Sequence, residues 1–441
     1  MSLESLYDHS PVWFQNLMCS IKGFFICKER YCDGFWNELN AYEQRKYIQS
    51  ESLASFLKTI KETPAYKHIF LKNKDLSGLD LLYKFPIINK IDVKSHFNDY
   101  INPECTEEMT MTSTSGTTGG GLVFPYTKQM SNKQWAVWWR YRRALGITID
   151  TWCGWFGGKR IIDPNTRKSP FWRINKPGKQ VMFSSLHLTH DTVQYYHHEI
   201  DERGLEWLHG YPSHIAKFAA MAIDNGLPPL NNVRFVTTGA ENVLGNQISM
   251  FKKMFPNALI RQHYGLAEGV ANISQNREGE WIVDDDFSFI EFIPISKENP
   301  NVCRIIGTNF NNPAFPLLRY DTGDTATIER HDDGSIKVIS IDGRSANVLK
   351  GPDGFEINEA RLSIVLHDFN NIVEAQFIQH SLTDIDLLIV KNHLYNEKDE
   401  LLLKSNIKEN FDKRIKVTIK YVDSVERTAA GKLRLVITEI K

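Results

Sequence analysis

The stretch of residues 112–121 combines hydroxyl side chains with glycines and could hold phosphate groups. It reads Thr-Ser-Thr-Ser-Gly-Thr-Thr-Gly-Gly-Gly, with no bulky side chain to keep a ligand away. Backbone N–H groups and hydroxyls at such a turn can surround phosphate oxygens. The stretch is not a Walker A loop, because no Gly-Lys-Ser/Thr closes it, and its glycines do not follow Gly-x-Gly-x-x-Gly. A flexible linker has a similar composition, so other residues must decide between the two.

Four further motifs follow this Ser/Thr/Gly loop along the chain: Tyr264-Gly265-Leu266-Ala267-Glu268, Arg319-Tyr320-Asp321-Thr322-Gly323-Asp324, Gly343-Arg344 and Gly431-Lys432. Any one of them would often arise by chance. Five in order, at this spacing, resemble the adenylate-forming superfamily of acyl-CoA synthetases, aryl-CoA ligases and peptide-synthetase adenylation domains. The resemblance covers the chain from about residue 113 to residue 441. Within the superfamily, residues 156–160, 170–175, 184–188 and 210–213 resemble the phenylacetate–CoA ligase-like proteins, and more closely their capsular-polysaccharide-biosynthesis (CapK-type) branch.

The resemblance implies that ATP and Mg²⁺ are used to activate a carboxylic acid. Joining a carboxylate to the α-phosphate of ATP expels pyrophosphate, so catalysis is mainly positioning and charge stabilisation. The residues implied to hold the β- and γ-phosphates are Ser115, Gly116, Thr117, Thr118 and Gly119. In many relatives a lysine ends this loop, where this chain has Gly120 and Gly121. Mg²⁺ is therefore expected to carry more of the charge neutralisation.

The second motif is implied to hold the metal and the adenine. Glu268 would be the Mg²⁺ ligand, since a cation that bridges phosphate oxygens needs only one or two carboxylates. Tyr264, followed by Gly265, would lie against the adenine face. Most relatives have Ser or Thr where Ala267 stands, so a hydroxyl contact to the α-phosphate is missing here. The alternative for Glu268 is a structural, salt-bridged carboxylate.

Two other segments are implied to complete the nucleotide site. Gly239-Ala240-Glu241 follows a predicted strand and matches the segment that lines the adenine pocket in relatives. Asp324 would accept hydrogen bonds from both ribose hydroxyls, while Asp321 could be the structural residue of that turn.

Lys432 is implied to drive adenylation, so the implied catalytic residues are Lys432, Glu268 and Thr117. A long cationic side chain can bridge the attacking carboxylate and the α-phosphate. The alternative is a solvated lysine in a basic tail, since Arg427 and Arg434 are close in sequence. Arg344 would add a ribose contact at the domain junction. Two residues later, Ala346 replaces the hinge aspartate about which relatives rotate their small domain.

The composition is that of an ordinary globular protein. A formal net charge of −1 over 441 residues gives no general reason to expect nucleic-acid binding. The six cysteines form no Cys-x-x-Cys pair and are expected to be reduced thiols. The sequence shows no signal peptide and no transmembrane segment, which predicts a cytoplasmic protein. The run at residues 21–27 could lie on a membrane surface, but a buried N-terminal helix is the preferred prediction.

Periodicity predicts an α/β fold with two domains. Helical spacing covers residues 34–62 and 128–145, and residues 122–124 and 233–238 are predicted strands. After residue 343 the pattern becomes helix (358–366), strand (372–378), strand (385–390), helix (398–411) and strand (415–422). We therefore predict a large, multi-subdomain N-terminal adenylate-forming domain (residues 1–343) that binds ATP and the acid. A small, mobile α+β C-terminal lid domain (residues 344–441) would carry Lys432.

The predicted function is an AMP-forming carboxylate ligase of surface polysaccharide biosynthesis. CoA is the usual acyl acceptor in the family. The CapK-type resemblance leaves open an amide or ester ligase that transfers the acyl or aminoacyl group to a sugar without CoA. The segment Phe156-Gly157-Gly158-Lys159-Arg160 and the pair Trp172-Arg173 would then be candidates for the acid or acceptor site, or else a solvated basic loop packed by aromatics. A nucleotide-binding scaffold that has lost catalysis is the alternative from another class. His187 and His190 lack an evident third metal ligand.

Overall fold

The fold is described from a computed structural model for residues 3–114, 121–344, 348–354, 356–357, 359–367, 369, 371–428 and 431–440. Among these residues the α-helices are α1 (Leu3–Asp8), α2 (Val12–Arg30), α3 (Asp33–Glu43), α4 (Gln49–Thr59), α5 (Pro64–Lys72), α6 (Gly78–Leu82), α7 (Lys90–Ser95), α8 (Lys128–Leu145), α9 (Val193–Glu202), α10 (Pro212–Asp224), α11 (Gly245–Met254), α12 (Glu359–Val365) and α13 (Glu397–Asn410).

The strands formed by the described residues are β1 (Met109–Ser113), β2 (Val123–Thr127), β3 (Cys153–Phe156), β4 (Trp172–Asn175), β5 (Gln180–Phe183), β6 (Trp207–Gly210), β7 (Phe235–Gly239), β8 (Leu259–Gly265), β9 (Asn272–Gln275), β10 (Trp281–Val283), β11 (Ser288–Pro294), β12 (Val302–Asn309), β13 (Tyr320–Arg330), β14 (Ile336–Arg344), β15 (Leu349–Lys350), β16 (Glu356–Ile357), β17 (Ile372–Gln379), β18 (Asp384–Lys391), β19 (Lys416–Tyr421) and β20 (Val436–Thr438).

Two compact units make up the chain. The first contains residues 1–27, 147–262 and 342–441, and the second contains residues 28–146 and 263–341. Helix α2 and strands β8 and β14 each begin in one unit and end in the other. These units divide the chain differently from the predicted domains, whose boundary at residue 343 remains a prediction.

In the first unit, strands β5, β3, β6 and β7 lie side by side in parallel, and β4 pairs antiparallel with β5 at the edge. Parallel neighbours need crossover connections, and helices α9 and α10 precede β6 and β7 along the chain. The β-branched run predicted as a strand is β7, which is buried as expected of a strand covered on both faces. Phe156, Phe183, Phe218 and Phe251 form the centre of this core.

Residues 349–440 of the first unit form a smaller α+β region. Its sheet has the order β19-β18-β17-β20, with β17 and β18 antiparallel and both outer pairs parallel. Phe377, Leu387 and Leu403 are fully buried within it. The predicted helices and strands of this region agree with α12, β17, β18, α13 and β19 to within one residue at each end. The agreement follows from short, strongly periodic apolar segments separated by polar turns.

In the second unit, strands β11, β12, β13, β14, β10 and β9 follow one another in that order, and the end of β8 pairs with β9. Helix α8 has the predicted bounds, and its Trp139 and Tyr141 are buried, as expected of a core helix. Asn89 caps α7 with both bonds of a capping box, which fixes where this helix begins.

A buried polar network connects α8 to the strand that ends in the Tyr264 motif. Arg140 forms an ion pair with Asp284 at 2.6 Å, and Asp284 accepts a hydrogen bond from Asn272 at 2.6 Å. The amide oxygen of Asn272 accepts from Trp138 at 3.0 Å and from His263 at 2.8 Å. Burial lowers the pKa of His263 to about 4, so the imidazole is neutral at pH 7. The network fixes the backbone that precedes Tyr264.

Helix α2 corrects the prediction of a buried N-terminal helix. Its buried residues are Gln15 and Gly23, whereas Phe24 and Phe25 are more than half exposed. That prediction requires the apolar side chains of the helix to point inward. Here the polar face packs on the protein. All six cysteines are free thiols, as predicted.

Candidate active site

The described residues on the two sides of the predicted phosphate loop form an antiparallel pair of strands. Strands β1 and β2 pair antiparallel up to Ser113 and Val123. Beyond them, Thr114 donates its N–H to Leu122 at 2.9 Å, and its hydroxyl accepts from the Leu122 N–H at 2.9 Å. The loop residues predicted to bind phosphate lie outside the described residues: Ser115, Gly116, Thr117, Thr118 and Gly119.

Lys90, which belongs to none of the predicted motifs, lies beside Thr114 at the end of β1. Its Nζ is 3.5 Å from the Thr114 hydroxyl, and it is the first residue of α7. In many relatives the lysine near the phosphates stands at the end of the Ser/Thr/Gly loop, where this chain has Gly120 and Gly121. The signal that could have found Lys90 is a lysine directly after the helix cap Asn89.

Tyr264 and Asp324, which are both predicted to hold the nucleotide, are in contact in the second unit. The Tyr264 hydroxyl donates to an Asp324 carboxylate oxygen at 2.9 Å. Burial, followed by the negative charges of Asp324 and Glu268, raises the pKa of Tyr264 well above its usual range. Tyr264 therefore stays a donor that orients the carboxylate of Asp324. Gly265 is exposed at the end of β8.

The turn before Asp324 assigns different tasks to its two aspartates. Asp321 pairs with Arg304 at 2.8 Å and accepts the Gly323 N–H at 2.9 Å. This is the structural turn role that the sequence left open for Asp321. The N–H of Asp324 donates to the Thr322 hydroxyl at 3.1 Å, and the carboxylate of Asp324 accepts from Tyr264.

Glu268 is 6% exposed in the second unit. Its backbone oxygen accepts from the Asn309 amide at 2.6 Å, and Gly269 follows in the left-handed region at φ +64°. Among the described residues, no three His, Cys, Asp or Glu side chains form a group that could hold a metal by themselves. A single carboxylate fits Mg²⁺ when phosphate oxygens supply the remaining ligands.

The segment Gly239-Ala240-Glu241 ends β7 in a strained turn. Ala240 has φ +68°, a conformation that costs a non-glycine residue about 1–2 kcal/mol. One carboxylate oxygen of Glu241 accepts the Leu433 N–H at 2.7 Å, and the other accepts the Ser213 N–H at 3.2 Å. The predicted adenine contact of this segment stays a prediction. The carboxylate of Glu241 has a second role, which is to hold the residue that follows Lys432.

The backbone around Lys432 is fixed by its own turn. Gly431 donates to the Thr428 carbonyl at 2.8 Å, and the Lys432 N–H donates to the Thr428 hydroxyl at 3.1 Å. Gly431 has φ +78°, and a Cβ there would lie 3.1 Å from the Cα of Gly158. The positive φ and the close approach of the Gly158 backbone explain why glycine is favoured at position 431.

Arg427 is part of this arrangement and not a solvated tail residue. Its guanidinium donates to the Ser213 hydroxyl at 2.9 Å and to the Gly431 carbonyl at 3.0 Å, and it forms an ion pair with buried Glu374. Burial, and then the charge of Arg427, lower the pKa of nearby His214 to about 3, which keeps that imidazole neutral. Sequence reasoning missed Ser213, Glu374 and Arg427 because their partners are distant along the chain.

Lys432 itself lies within cation–π distance of an aromatic ring. Its Nζ is 5.8 Å from the centre of the Tyr211 ring. The Lys432 loop, defined here as residues 427, 428 and 431–433, is therefore docked on the start of α10. For Arg344, the structure describes the backbone at the end of β14 and not the side chain.

The basic segment near residue 170 does not offer its arginine to a ligand. Arg173 is 3% exposed and donates to Gln15 and to the carbonyls of Pro170 and Trp172. The proposal that Arg173 contacts the acid or the acceptor is therefore corrected, since its donors fix α2 and its own strand. Arg160 forms an ion pair with Asp8, while Lys159 is exposed.

Comparisons with known proteins agree with these features. Residues 349–439 match the family described as the CapK C-terminal domain. The chain is 27% identical to protein CapK of Staphylococcus aureus over 456 aligned positions, which cover 100% of both proteins. It is similar to the solved structure of 2-hydroxyisobutyryl-CoA ligase in the postadenylation state with R3-HIB-AMP, with a TM-score of 0.64, 13% identity and 89% of each chain covered. It is also similar to the anthranilate CoA ligase AuaEII with anthranoyl-AMP, with a TM-score of 0.53, 14% identity, and 74% of this chain and 65% of that chain covered.

At these identities the two solved ligases show the fold alone. That fold is the predicted α/β architecture with a large sheet and a smaller C-terminal α+β domain. Two matches concern CapK, one over the C-terminal domain and one over the whole chain. They confirm the resemblance to the CapK-type proteins that the ordered motifs predict, and the solved ligases confirm the fold.

Proposed function

We propose that the protein is an ATP- and Mg²⁺-dependent ligase that converts a carboxylic acid to an acyl-adenylate and pyrophosphate. The acyl group then passes to CoA or to another acceptor, in the biosynthesis of a capsular or other surface polysaccharide. The observation that carries this proposal is the bond from the Leu433 N–H to Glu241, because it ties the Lys432 loop to the segment predicted to line the adenine pocket. A solvated tail lysine would need no such support.

The chemistry follows from where charge develops. A carboxylate oxygen attacks the α-phosphorus, the bond to the bridging oxygen of pyrophosphate breaks, and negative charge accumulates on the α-phosphate oxygens. Lys432 would stabilise that charge, since a fixed cation in a site from which water is excluded needs no reorganisation during the reaction. Glu241, Arg427 and Gly431 are positioning residues for Lys432 in this account.

The nucleotide would be held by residues of the second unit. Asp324 would accept the two ribose hydroxyls with its carboxylate oriented by Tyr264, and the Ser/Thr/Gly loop would hold the β- and γ-phosphates. Glu268 would bind Mg²⁺, which when present neutralises the phosphate oxygens and the departing pyrophosphate. The retention of Glu268, Asp324 and a supported Lys432 argues against a scaffold that has lost catalysis.

The acceptor is a finer part of the proposal. CoA is the acceptor named for both solved ligases of this fold. The CapK-type relationship supports a role in surface polysaccharide synthesis, and with it the second candidate, in which a sugar amine or hydroxyl takes the acyl group directly.

The first prediction tests the reaction class. With the correct acid from a panel of carboxylic acids, the protein is expected to exchange labelled pyrophosphate into ATP and to release AMP. Exchange requires Mg²⁺ and should stop when EDTA removes it. Formation of ADP and phosphate with any acid would exclude adenylation.

The second prediction concerns the ribose. Asp324→Ala should weaken ATP binding by about 3–6 kcal/mol, at ~1.5–3 kcal/mol for each lost bond to a charged acceptor. The wild type should bind 2′-deoxy-ATP more weakly than ATP, whereas Asp324→Ala should bind both equally in calorimetry. Tyr264→Phe is the intermediate case: it keeps the carboxylate but removes the bond that orients it, so it should retain part of the discrimination that Asp324→Ala loses. If Asp324→Ala still bound ATP more tightly than 2′-deoxy-ATP, the assignment of Asp324 to the ribose would be rejected.

The third prediction separates Lys432 from its support. Lys432→Ala should slow acyl-adenylate formation by about 10²–10³-fold. Glu241→Gln should slow the same step by about 10–100-fold, because the NH2 group that replaces one carboxylate oxygen cannot accept an N–H and one charged hydrogen bond of ~1.5–3 kcal/mol is lost. Both variants should consume a synthetic acyl-adenylate and acceptor at wild-type rates.

Glu426→Gln is the control for the third prediction, since Glu426 is exposed and lies beside the same loop, 3.5 Å from Arg434. It should leave both half-reactions unchanged. Equal losses in the two half-reactions of Lys432→Ala would show that Lys432 is a structural residue.

A further inference from the structure

Helix α2 is attached to the first unit through its polar face. Ser20 donates its hydroxyl to the Ile174 carbonyl at 3.2 Å, and Asn16 accepts the Ile174 N–H at 2.9 Å. Gln15 accepts from buried Arg173, and a Cβ on Gly23 would clash with Asn175. Polar groups that would normally face water are thus satisfied by edge strand β4. The orientation of the helix is fixed by these bonds.

The opposite face of α2 is apolar and exposed. Trp13, Leu17, Ile21, Phe24 and Phe25 recur at helical spacing, and each is between 45% and 67% exposed. Side chains three and four residues apart lie on one face, so these five form a continuous strip about 18 Å long at 1.5 Å for each residue. We call these five residues the α2 strip. Single exposed apolar residues are ordinary, whereas a rigid strip of this kind marks an interaction site.

The charges along the α2 strip are cationic. No Asp or Glu occurs between Pro11 and Lys28, whereas Lys22 is exposed on the helix and Lys176 is exposed beside Ser20. The last turn of the helix contains Lys28 and Arg30 with Glu29 between them, which leaves a net positive charge there. Aromatic and aliphatic side chains flanked by lysines are the pattern of a helix that lies in the plane of an anionic lipid surface.

We propose that α2 docks the protein on an anionic lipid bilayer, with the α2 strip inserted at the level of the headgroups. None of the helices formed by the described residues has the length and apolar composition of a membrane span, so the attachment is peripheral. At roughly 100 Å² of exposed surface for each side chain, the strip covers about 500 Å². A stable protein–protein interface buries about 800 Å² on each partner, so the strip is too small to hold a second copy by itself.

The experiment is co-sedimentation of the full chain with vesicles. Vesicles of phosphatidylcholine and phosphatidylglycerol at a 60:40 ratio should bind the protein, and vesicles of phosphatidylcholine alone should bind it at least tenfold more weakly. Raising NaCl to about 0.5 M should reduce binding, because exposed charges are screened within a few ångströms at that ionic strength. Equal binding to both vesicle types, or none to either, would overturn the proposal.

Two variants make the test specific to α2. The double variant Phe24→Glu/Phe25→Glu should lose at least nine-tenths of its binding to the mixed vesicles, while Lys22→Gln should weaken the preference for phosphatidylglycerol. Ile91→Glu is the matched control, because Ile91 is 74% exposed on a different helix, and it should bind like the wild type.

Because the substituted side chains are exposed, the melting temperature of each variant should equal that of the wild type. A dimer in solution that Phe24→Glu/Phe25→Glu converts to a monomer would show that a second copy covers the strip, and would overturn the proposal.

Discussion

The placement of Lys432 depends on the carboxylate of Glu241, which accepts N–H groups from Ser213 and Leu433. Burial raises the pKa of Glu241, while its two N–H donors and Arg427 favour the charged form. A carboxylate withdrawn from water is costly unless such partners satisfy it, so the two elements that supply them, α10 and the Lys432 loop, are held beside the end of β7. Strand β7 ends at Gly239, two residues before Glu241. The parallel sheet of the first unit therefore sets the position of the Lys432 loop.

In the second unit, hydrogen bonds and ion pairs fix the positions of acidic side chains in a similar way. Asp324 and Glu268 are acidic and nearly buried, at 9% and 6% exposure, and Tyr264 donates to Asp324. Asp321, three residues before Asp324, is bound by Arg304, so the motif keeps one carboxylate for structure and orients the other. The network from Arg140 to His263 holds the strand in which Tyr264 lies.

Sequence could predict what is local and periodic. The bounds of α8 and of α12, β17, β18, α13 and β19 follow from apolar spacing, and the motif glycines indicated where the backbone turns tightly. It could not predict that Arg427, apparently one more cation beside Lys432, pairs with Glu374 more than fifty residues earlier. Nor could it predict that Gly158 and Gly431 touch, or that α2 turns its polar face inward, because those facts depend on which elements become neighbours in the fold.

The central claim is that an acyl-adenylate forms and is then consumed, and isotope transfer tests it most directly. The acid is prepared with both carboxylate oxygens as ¹⁸O, and the products with ATP, Mg²⁺ and the acceptor are analysed by mass spectrometry. Attack of the carboxylate on the α-phosphorus places one ¹⁸O in the phosphate of AMP, because the acceptor attacks the acyl carbon and AMP leaves with the bridging oxygen. AMP with one ¹⁸O is the predicted result. Inorganic phosphate carrying ¹⁸O beside unlabelled ADP would show an acyl-phosphate instead and contradict the account.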